Sequence, residues 1–573
     1  DGRTMVEITF RATIDDTYDD LTPILQGHDL NNRVDSSANM LSPTDLTLLG
    51  TTSNTSSADV DVRLGGLTKS LYAVNGSLSI PSRLAPGDSV TYRLQYDMPS
   101  TDFDSFKVDD YLPLPIFSNT EMNGGFSPVI SVAAPVAGTA KYGPTETLYG
   151  FNNIAPTMSS EPGNVVRFSW GATDDPSNLP RHIDILFTVT IQDQPYAPGM
   201  FLTNQATATE NNIIVDQTRT DISTIELEIP EPKVTKGIVA TTSGVATFSP
   251  FPVGPVTFSA PGTPGPIFND PIISDDLDTT PINSNISGVD AGDLVTYALV
   301  VENKGKGNLY NTQLNDVLPT GMVFPGSGIN LSVTDGTGAP LAYTNLPGGF
   351  FGSGISITPS IDNKSTAIPG SNIIVITYDL EVASSAQPKD IITNEGKLTR
   401  FAASNGGVNY VVDQSQYQDI ATATVNMPLM LKNITSTALG DTTGNNVVIG
   451  EEITYTVTLK VPEGQMTNVI ATDVLDACLA LTNLVSLNAT SGITSSQGSM
   501  ATVLSNAQVQ SVGAGPANAA RRIILDYGTL TNTNRDNSTD DIITLIYRAI
   551  PINASNCLNT NTRRNAITLE WNT

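Results

Sequence analysis

The sequence predicts an all-β protein built of tandem modules, with little helix. Apolar and polar residues alternate over many short stretches, which is the period of a half-buried strand. Glycine, proline, serine, threonine and asparagine are plentiful, whereas charged residues make up only 15%. That composition suits short strands joined by tight turns. One pattern of strand, turn and strand also recurs at nearly fixed spacing, which indicates one structural unit used repeatedly.

The repeated pattern is clearest in residues 291–321. Every second residue of its first strand is apolar or aromatic: Val295, Tyr297, Leu299 and Val301. A glycine turn follows, then Asp316, and Pro319 ends the second strand. Three copies place the tyrosine 18, 19 and 18 residues before the aspartate, in the pairs Tyr92 and Asp110, Tyr297 and Asp316, and Tyr455 and Asp473.

These motifs resemble a known family. Gly-Asp-x-Val-Thr-Tyr, then Asn-x-Gly, then Asp-x-Leu-Pro-x-Gly in residues 292–321 is similar to the conserved surface repeat of bacteria and archaea, a domain of unknown function. The resemblance implies tandem Ig-like β-sandwich modules in a secreted or cell-surface protein. It implies no enzymatic activity.

Four segments follow from the positions of the repeats. Residues 1–66 contain only closing strands and are predicted to be the C-terminal half of an Ig-like module. Complete modules are predicted at 67–230 with an insertion (module one), 231–428 with a proline-rich insertion (module two) and 429–573 without its final strand (module three). Two interpretations of the ends stay open: the chain is a window of a longer array, or copies complete each other head to tail by strand addition.

Composition limits the classes of partner and activity. The net charge of −29 argues against nucleic acid and anionic membranes as partners. No apolar run has the length of a membrane span, so we expect no membrane insertion. His28 and His182 are isolated, and no Walker loop or other catalytic motif is present, so we expect no enzyme.

Two cysteines and one acidic cluster are further candidates. Cys478 and Cys557 are expected either to pair in an oxidising compartment or to remain separate buried thiols. We expect no cofactor, with Ca²⁺ as the one candidate ion. Its candidate ligands are Asp275, Asp276 and Asp278, and the alternative is a solvated acidic turn.

A lysine, an aspartate and an asparagine recur in the same order in each complete module. The sets are Lys69, Asp110 and Asn204; Lys236, Asp316 and Asn394; and Lys432, Asp473 and Asn565. This order is similar to collagen-adhesin-type domains of Gram-positive surface proteins, in which lysine and asparagine form an isopeptide crosslink with the help of a buried acid. In the alternative interpretation the aspartate caps a turn, the asparagine bonds backbone and the lysine lies on the surface.

We therefore expect a structural subunit of a prokaryotic extracellular filament, sheath or surface layer. Its expected partner is itself, as a homopolymer with head-to-tail β-strand contacts, and its expected location is extracellular or at the cell surface. The alternatives are a cell-surface adhesin stalk or binding module, and an accessory region of a secreted enzyme.

Overall fold

The computed structural model describes most of the chain. The described residues are 5–15, 17–21, 24, 28–63, 65–81, 83–99, 103–173, 175, 177, 179–197, 199–212, 215–263, 267–366, 368–443, 445–513, 520–536, 541–553, 557 and 563–572. The fold is all-β, as the alternation predicted, with β-sandwich modules and a few short helices. The chain separates into two compact units, Asp1–Glu228 and Ile229–Thr573. The module boundaries at 66, 230 and 428 stay predictions.

The first unit begins with extended chain and a long hairpin. Residues 5–15 form no strand. The hairpin consists of β1 (Asp29–Leu41) and β2 (Leu48–Asp61), which pair antiparallel and are exposed along almost their whole length.

Two sheets form module one. The first contains β3 (Gly66–Val74), β4 (Ser89–Met98), β6 (Phe126–Ile130), β7 (Ala140–Tyr142) and β10 (Arg181–Thr190), in the order β3-β4-β10-β7-β6. The second contains β5 (Ser105–Tyr111), β8 (Thr157–Glu161), β9 (Val165–Trp170), β11 (Phe201–Asn212) and β12 (Val215–Glu226), in the order β12-β11-β5-β9-β8. A 3-10 helix, Asn119–Glu121, and α1 (Leu148–Asn152) lie in the insertion.

Module two lies in the second unit. Its first sheet contains β13 (Pro232–Thr241), β16 (Leu294–Asn303), β18 (Met322–Val323), β19 (Ser332–Asp335) and β22 (Ile373–Val382), in the order β13-β16-β22-β18, with β19 also on β22. Its second contains β14 (Thr247–Ser249), β15 (Asn285–Val289), β17 (Tyr310–Asp316), β20 (Tyr343–Asn345), β21 (Ile355–Ile357), β23 (Ile391–Ala402) and β24 (Gln418–Val425), in the order β14-β15-β24-β23-β17-β21-β20. The helices are α2 (Ser274–Thr279) and the 3-10 helix Gln414–Tyr417.

Module three repeats the arrangement. Its first sheet contains β25 (Leu429–Thr437), β26 (Ile453–Lys460), β28 (Leu479–Ala489) and β32 (Ile542–Pro551), in the order β25-β26-β32-β28. Its second contains β27 (Gly464–Val474), β29 (Ile493–Ser495), β30 (Gln508–Gln510), β31 (Arg522–Asn532) and β33 (Ala566–Asn572), in the order β29-β31-β27-β33, with β30 on β31. The short helix α3 (Met500–Ser505) is capped by Ser499, whose hydroxyl accepts from the Thr502 amide.

The core of module three lies between its two sheets, as the alternation requires. In β26 every second residue is buried, from Ile453 to Leu459, and packs with residues of β27, β31 and β32. Such a pattern indicates one face on the core and one towards water.

Strand β16 of module two differs, because both of its faces are buried. Val295, Tyr297, Leu299 and Val301 point to the sandwich core as predicted, but Ala298 and Val300 are covered as well. The proline-rich insertion covers them with Ile267, Phe268, Ile272 and Leu277, which form a second apolar cluster outside the sheet. The insertion is therefore an ordered cover of this strand.

Candidate functional site

The three lysines occupy one equivalent position in the first sheet of each module. Each lies opposite the residue two places after the repeated tyrosine, in the pairs Lys69 and Leu94, Lys236 and Leu299, and Lys432 and Val457. In all three strands a β-bulge at the third residue after the lysine shifts the register. The three lysines are thus equivalent in their backbone pairing as well as in their order in the sequence.

The aspartates and asparagines meet in the second sheet. Each aspartate lies opposite the residue two places after the asparagine, in the pairs Asp110 and Ala206, Asp316 and Gly396, and Asp473 and Ile567. Each lysine side chain crosses the core to reach the aspartate of the facing sheet. The structure therefore brings the members of each predicted set together between the two sheets.

In module two the set forms a buried network through a tyrosine. The Lys236 Nζ donates to Asp316 Oδ2, and at 2.8 Å to the Tyr378 hydroxyl. The Tyr378 hydroxyl in turn donates to Asp316 Oδ2, and it accepts from Asn394 Nδ2 at 3.0 Å. All four side chains are almost completely buried, and Tyr378 stacks on Tyr297 with ring centroids 5.7 Å apart.

Module three has a similar network, in which the tyrosine hydroxyl again contacts the aspartate and the asparagine. The Lys432 Nζ donates to Asp473 Oδ2 at 2.6 Å, and the Tyr547 hydroxyl donates to the same oxygen at 2.9 Å. Asn565 Nδ2 donates to the Tyr547 hydroxyl at 2.6 Å. Lys432 also lies over the rings of Tyr455 and Tyr547, with its nitrogen 5.4 Å and 5.3 Å from the ring centroids. This position suits a cation, because the faces of aromatic rings are electronegative.

Module one keeps the lysine and the aspartate but has phenylalanine in place of the tyrosine. Phe187 pairs with Tyr92 across the sheet, just as Tyr378 pairs with Tyr297 and Tyr547 with Tyr455. Lys69 Nζ donates to Asp110 Oδ2. Asn204 faces the Asp110 carboxyl group and the Tyr92 hydroxyl, and its hydrogen bonding to them opposes the rise that burial causes in the pKa of each.

Burial changes the electrostatics of each lysine–aspartate pair. Desolvation lowers the pKa of Lys69 and of Lys236 to about 8, against the attraction of the paired aspartate. It lowers the pKa of Lys432 as well. Desolvation also raises the pKa of Asp110, Asp316 and Asp473, and the lysines oppose that rise. Because burial disfavours both charges, it moves each pair towards a neutral amine beside a carboxylic acid.

These positions contradict the interpretation in which the lysine lies on the surface. Lys69 and Lys236 have fully buried side chains, and that of Lys432 is 10% exposed. A neutral, buried amine is a nucleophile, and a buried acid can donate and accept protons. The arrangement contains the groups needed for a lysine amine to attack an asparagine carboxamide.

The tyrosines of the network are the functional residues that sequence reasoning missed. Tyr378 and Tyr547 precede their asparagines by 16 and 18 residues, and Phe187 precedes Asn204 by 17. Because these spacings differ, alignment at the asparagine alone does not place the three residues in one column. Their contact with the lysine depends on pairing across strands far apart in the chain.

The two cysteines and the acidic cluster have separate environments. Cys478 and Cys557 form a disulfide with Cα atoms 5.5 Å apart, which ties the start of β28 to the segment before β33.

Asp275, Asp276 and Asp278 all lie in α2, where Asp278 makes ion pairs with Lys304 and Lys364. Lysine ammonium groups, rather than a cation-binding cage, are thus the partners of Asp278. No group of acidic, histidine or cysteine side chains within the described ranges could hold a metal ion.

No helix in the described part of the chain is both long and apolar enough to span a membrane.

Among known proteins, the chain resembles only solved structures, and that likeness is weak. No protein-family model and no curated protein matches the chain. One similar structure is the C-terminal domain of the Streptococcus pyogenes antigen I/II-family protein AspA, with a TM-score of 0.27, 12% identity, and coverage of 63% of this chain and 99% of that one.

Two further similar structures come from a pilin and an adhesin. The 35 kDa C-terminal fragment of the major pilin GBS80 of Streptococcus agalactiae has a TM-score of 0.22 and 10% identity, and covers 63% of this chain and 91% of that one. The collagen adhesin of S. aureus has a TM-score of 0.16 and 11% identity, with 62% and 92% covered. At these values the likeness assigns neither a family nor a function.

Proposed function

We propose that the protein is a structural subunit of a prokaryotic extracellular filament, sheath or surface layer, and that its copies assemble head to tail by β-strand addition. A location outside the cell agrees with the disulfide, since such bonds persist in oxidising compartments. The proposal agrees with the surface-repeat resemblance of the motifs at 292–321.

The observation that carries the proposal is an amphipathic extended segment that pairs with no strand among the described residues. In residues 6–14 the apolar side chains fall on alternate positions, and Val6, Ile8, Phe10 and Ile14 are 54–81% exposed. Polar side chains occupy most of the positions between them. A strand with one apolar face is stable only when that face is buried against another sheet.

The proposed acceptor for such a strand is β33 of module three. Strands β11 and β23 each lie between two neighbours, with β12 and β24 on their outer sides. Their equivalent, β33, is the last strand of its sheet in the part of the chain that the structure describes. Pairing of residues 5–14 with the outer edge of β33 in another copy would continue that sheet. A contact of this head-to-tail kind does not close on itself and builds a fibre.

The test compares two pairs of substitutions on the segment. Ile8→Asp with Phe10→Asp places two charges on the apolar face, whereas Thr9→Asp with Thr13→Asp places the same two charges on the polar face. By negative-stain electron microscopy we expect fibres from the wild-type chain and from the second variant, and short or absent fibres from the first. Equal fibres from both variants would refute strand addition. A wild-type chain that stays monomeric would refute the filament and favour the adhesin stalk.

We further propose that each lysine–asparagine set forms an intramolecular isopeptide crosslink. The bond would join the two sheets of one sandwich, because Lys236 lies on β13 and Asn394 on the facing β23. A covalent tie between sheets resists separation of the module under tension, which is the load that a filament subunit bears.

Intact mass tests the crosslink directly. The wild-type chain should be lighter than its sequence mass by one ammonia per bond, and Lys236→Ala should restore one ammonia. Lys233→Ala is the matched control, because Lys233 lies exposed on the same strand. A wild-type mass equal to the sequence mass would contradict the crosslink.

A further inference from the structure

The Tyr378 hydroxyl is the one oxygen that contacts every other member of its set. It lies 2.8 Å from the Lys236 Nζ and 3.0 Å from the Asn394 Nδ2, and it donates to Asp316 Oδ2. In the proposed crosslink Nζ is the attacking atom and Nδ2 is the leaving atom. The hydroxyl therefore touches both reacting groups and connects them to the acid.

Module one offers a natural comparison, because Phe187 supplies the same ring without the hydroxyl. Its ring lies 5.6 Å from that of Tyr92, much as Tyr378 lies 5.7 Å from Tyr297. Without a hydroxyl at this position, the buried Asn204 side chain faces the Asp110 carboxyl group and the Tyr92 hydroxyl instead. The lysine and the aspartate are still paired there. The modules thus differ in whether a hydroxyl of the closing strand contacts the leaving nitrogen.

We propose that the tyrosine hydroxyl of modules two and three is a proton relay that releases the asparagine nitrogen as ammonia, and that module one, which has Phe187 there, forms its bond more slowly. This inference rests on the crosslink proposed above. It concerns the rate in each module and assigns a catalytic role to Tyr378 and Tyr547.

The proposed step balances without any further reactant. The neutral Lys236 amine attacks the Asn394 side-chain carbon, so that an Nζ–Cγ bond forms. The Tyr378 hydroxyl gives its proton to Nδ2 and takes one from the Asp316 carboxyl group. Asp316 takes the proton that the attacking amine loses, the Cγ–Nδ2 bond breaks, and ammonia leaves. Both Tyr378 and Asp316 return to their starting protonation.

The surroundings of the hydroxyl suit this role. Burial and the neighbouring Asp316 carboxyl group raise the pKa of Tyr378 well above its ordinary value, and burial and Asp473 do the same for Tyr547. The phenol therefore keeps its proton at neutral pH and is a donor. The charged groups around Lys236 are Asp316, Asp419 and Glu395, all acids that oppose the loss of its proton. A relay that moves protons within the network avoids placing a net charge there.

The experiment follows each bond separately in the full chain. The protein is made by cell-free synthesis, samples are quenched in denaturant at intervals, and peptide mapping by mass spectrometry measures the crosslinked fraction of each module. In the wild type we expect modules two and three to crosslink faster than module one. Tyr378→Phe should slow module two alone by roughly 10²-fold, the lower end of the usual contribution of general acid–base catalysis.

Two variants separate the relay from packing effects. Tyr297→Phe is the matched control. The Tyr297 ring stacks on Tyr378, and its buried hydroxyl has no hydrogen-bond partner within the described residues. The substitution should leave the rate of module two unchanged. Phe187→Tyr should accelerate module one, a gain that a misfolded variant cannot produce.

The outcomes distinguish the relay from the crosslink on which it rests. A wild-type chain that loses no ammonia in any module would refute the crosslink and the relay together. Crosslinks that form at equal rates in Tyr378→Phe and wild type, with no acceleration in Phe187→Tyr, would refute the relay alone. Slow bond formation in both Tyr378→Phe and Tyr297→Phe would show that packing sets the rate, and would also overturn the relay.

Discussion

At the scale of the residue, the alternation of apolar and polar side chains along a strand determines which rings lie in the core, and Tyr297 is an example. Its position in the repeat predicted a core ring on the same strand position as Tyr92 and Tyr455, and all three rings are buried. Each pairs across the sheet with an aromatic residue of the closing strand, Tyr378 in this module. The prediction is confirmed because one face of a strand in a sandwich must point to the core.

Removal of the Tyr297 ring should therefore destabilise module two strongly. Tyr297→Ala is expected to lower the free energy of unfolding by ~3–5 kcal/mol, through lost burial and the cavity left beside Tyr378. Urea denaturation followed by fluorescence measures the change. Tyr343→Ala is the control, since that ring is exposed on β20, and it should change stability by less than ~1 kcal/mol. A similar loss from both substitutions would argue against a core role for Tyr297.

The site could be predicted from the sequence only in part. The order of lysine, aspartate and asparagine is visible because the three recur at equivalent places in each repeat. Their contact, and the role of Tyr378, depend on the register of β16 against β22 and on the facing of two sheets. Strand register over such separations comes from packing of the whole sandwich, which local patterns do not specify.

At the scale of the element, acidic side chains collect where the sandwiches of modules two and three touch. The contact is close, since a Cβ at Gly464 would approach that of Ala291 to 2.8 Å. Thr467 donates its amide to the Gln387 side chain at 3.1 Å. Asp290 and Glu463 are both buried here, and they lie near Asp293, Asp541 and Arg535.

This junction should lose stability as pH rises. Burial and the neighbouring acids Asp293 and Asp541 raise the pKa of Asp290 to about 6 and that of Glu463 to about 7, although Arg535 opposes the shift. Between pH 4.5 and about 7 the folded protein therefore binds more protons than the unfolded chain, so stability falls across that window.

Thermal unfolding of the second unit measures the effect within the full chain. We expect a lower melting temperature at about pH 8 than at about pH 5, and a smaller difference in Glu463→Gln. Glu452→Gln is the control, because the Glu452 side chain is 41% exposed and pairs with Arg548 at 3.3 Å. An undiminished pH dependence in Glu463→Gln would exclude this carboxyl group as its source.

The disulfide is a second element-scale constraint, and it closes a loop between residues 79 apart. In the chain-entropy account, such a loop stabilises the fold by roughly 4–5 kcal/mol. Reductant should therefore lower the urea midpoint of module three and leave that of modules one and two unchanged, because the chain has two cysteines in all. The double substitution Cys478→Ser with Cys557→Ser should reproduce the loss and remove the sensitivity to reductant. Continued sensitivity in that variant would disprove the assignment.

At the scale of the element, insertions limit how well the sequence of a strand predicts which of its faces is buried. The alternation of β26 predicted its two faces correctly, whereas the outer face of β16 is buried by Phe268 and its neighbours from the proline-rich insertion. Nothing in the pattern of β16 alone shows that a segment elsewhere in the chain covers it. The apolar residues Ala298 and Val300 on that face were the available signal.

At the scale of the whole molecule, the net charge of −29 sets a condition on assembly. Copies of the chain repel each other, whereas the proposed contact between residues 5–14 and β33 is apolar and made through the backbone. Screening shortens the range of the repulsion from ~30 Å at ~0.01 M salt to ~8 Å at ~0.15 M. Apolar burial is not weakened over that range of salt.

Assembly should therefore increase with monovalent salt. Sedimentation velocity from ~0.01 M to ~0.15 M NaCl should show a growing fraction of long species for the wild-type chain. The variant Ile8→Asp with Phe10→Asp is the control, and it should remain small at every salt concentration, because salt acts only by allowing the strand contact to form. If salt instead dissolved the fibres, complementary charges rather than an apolar strand would hold the copies together, and the contact proposed here would be wrong.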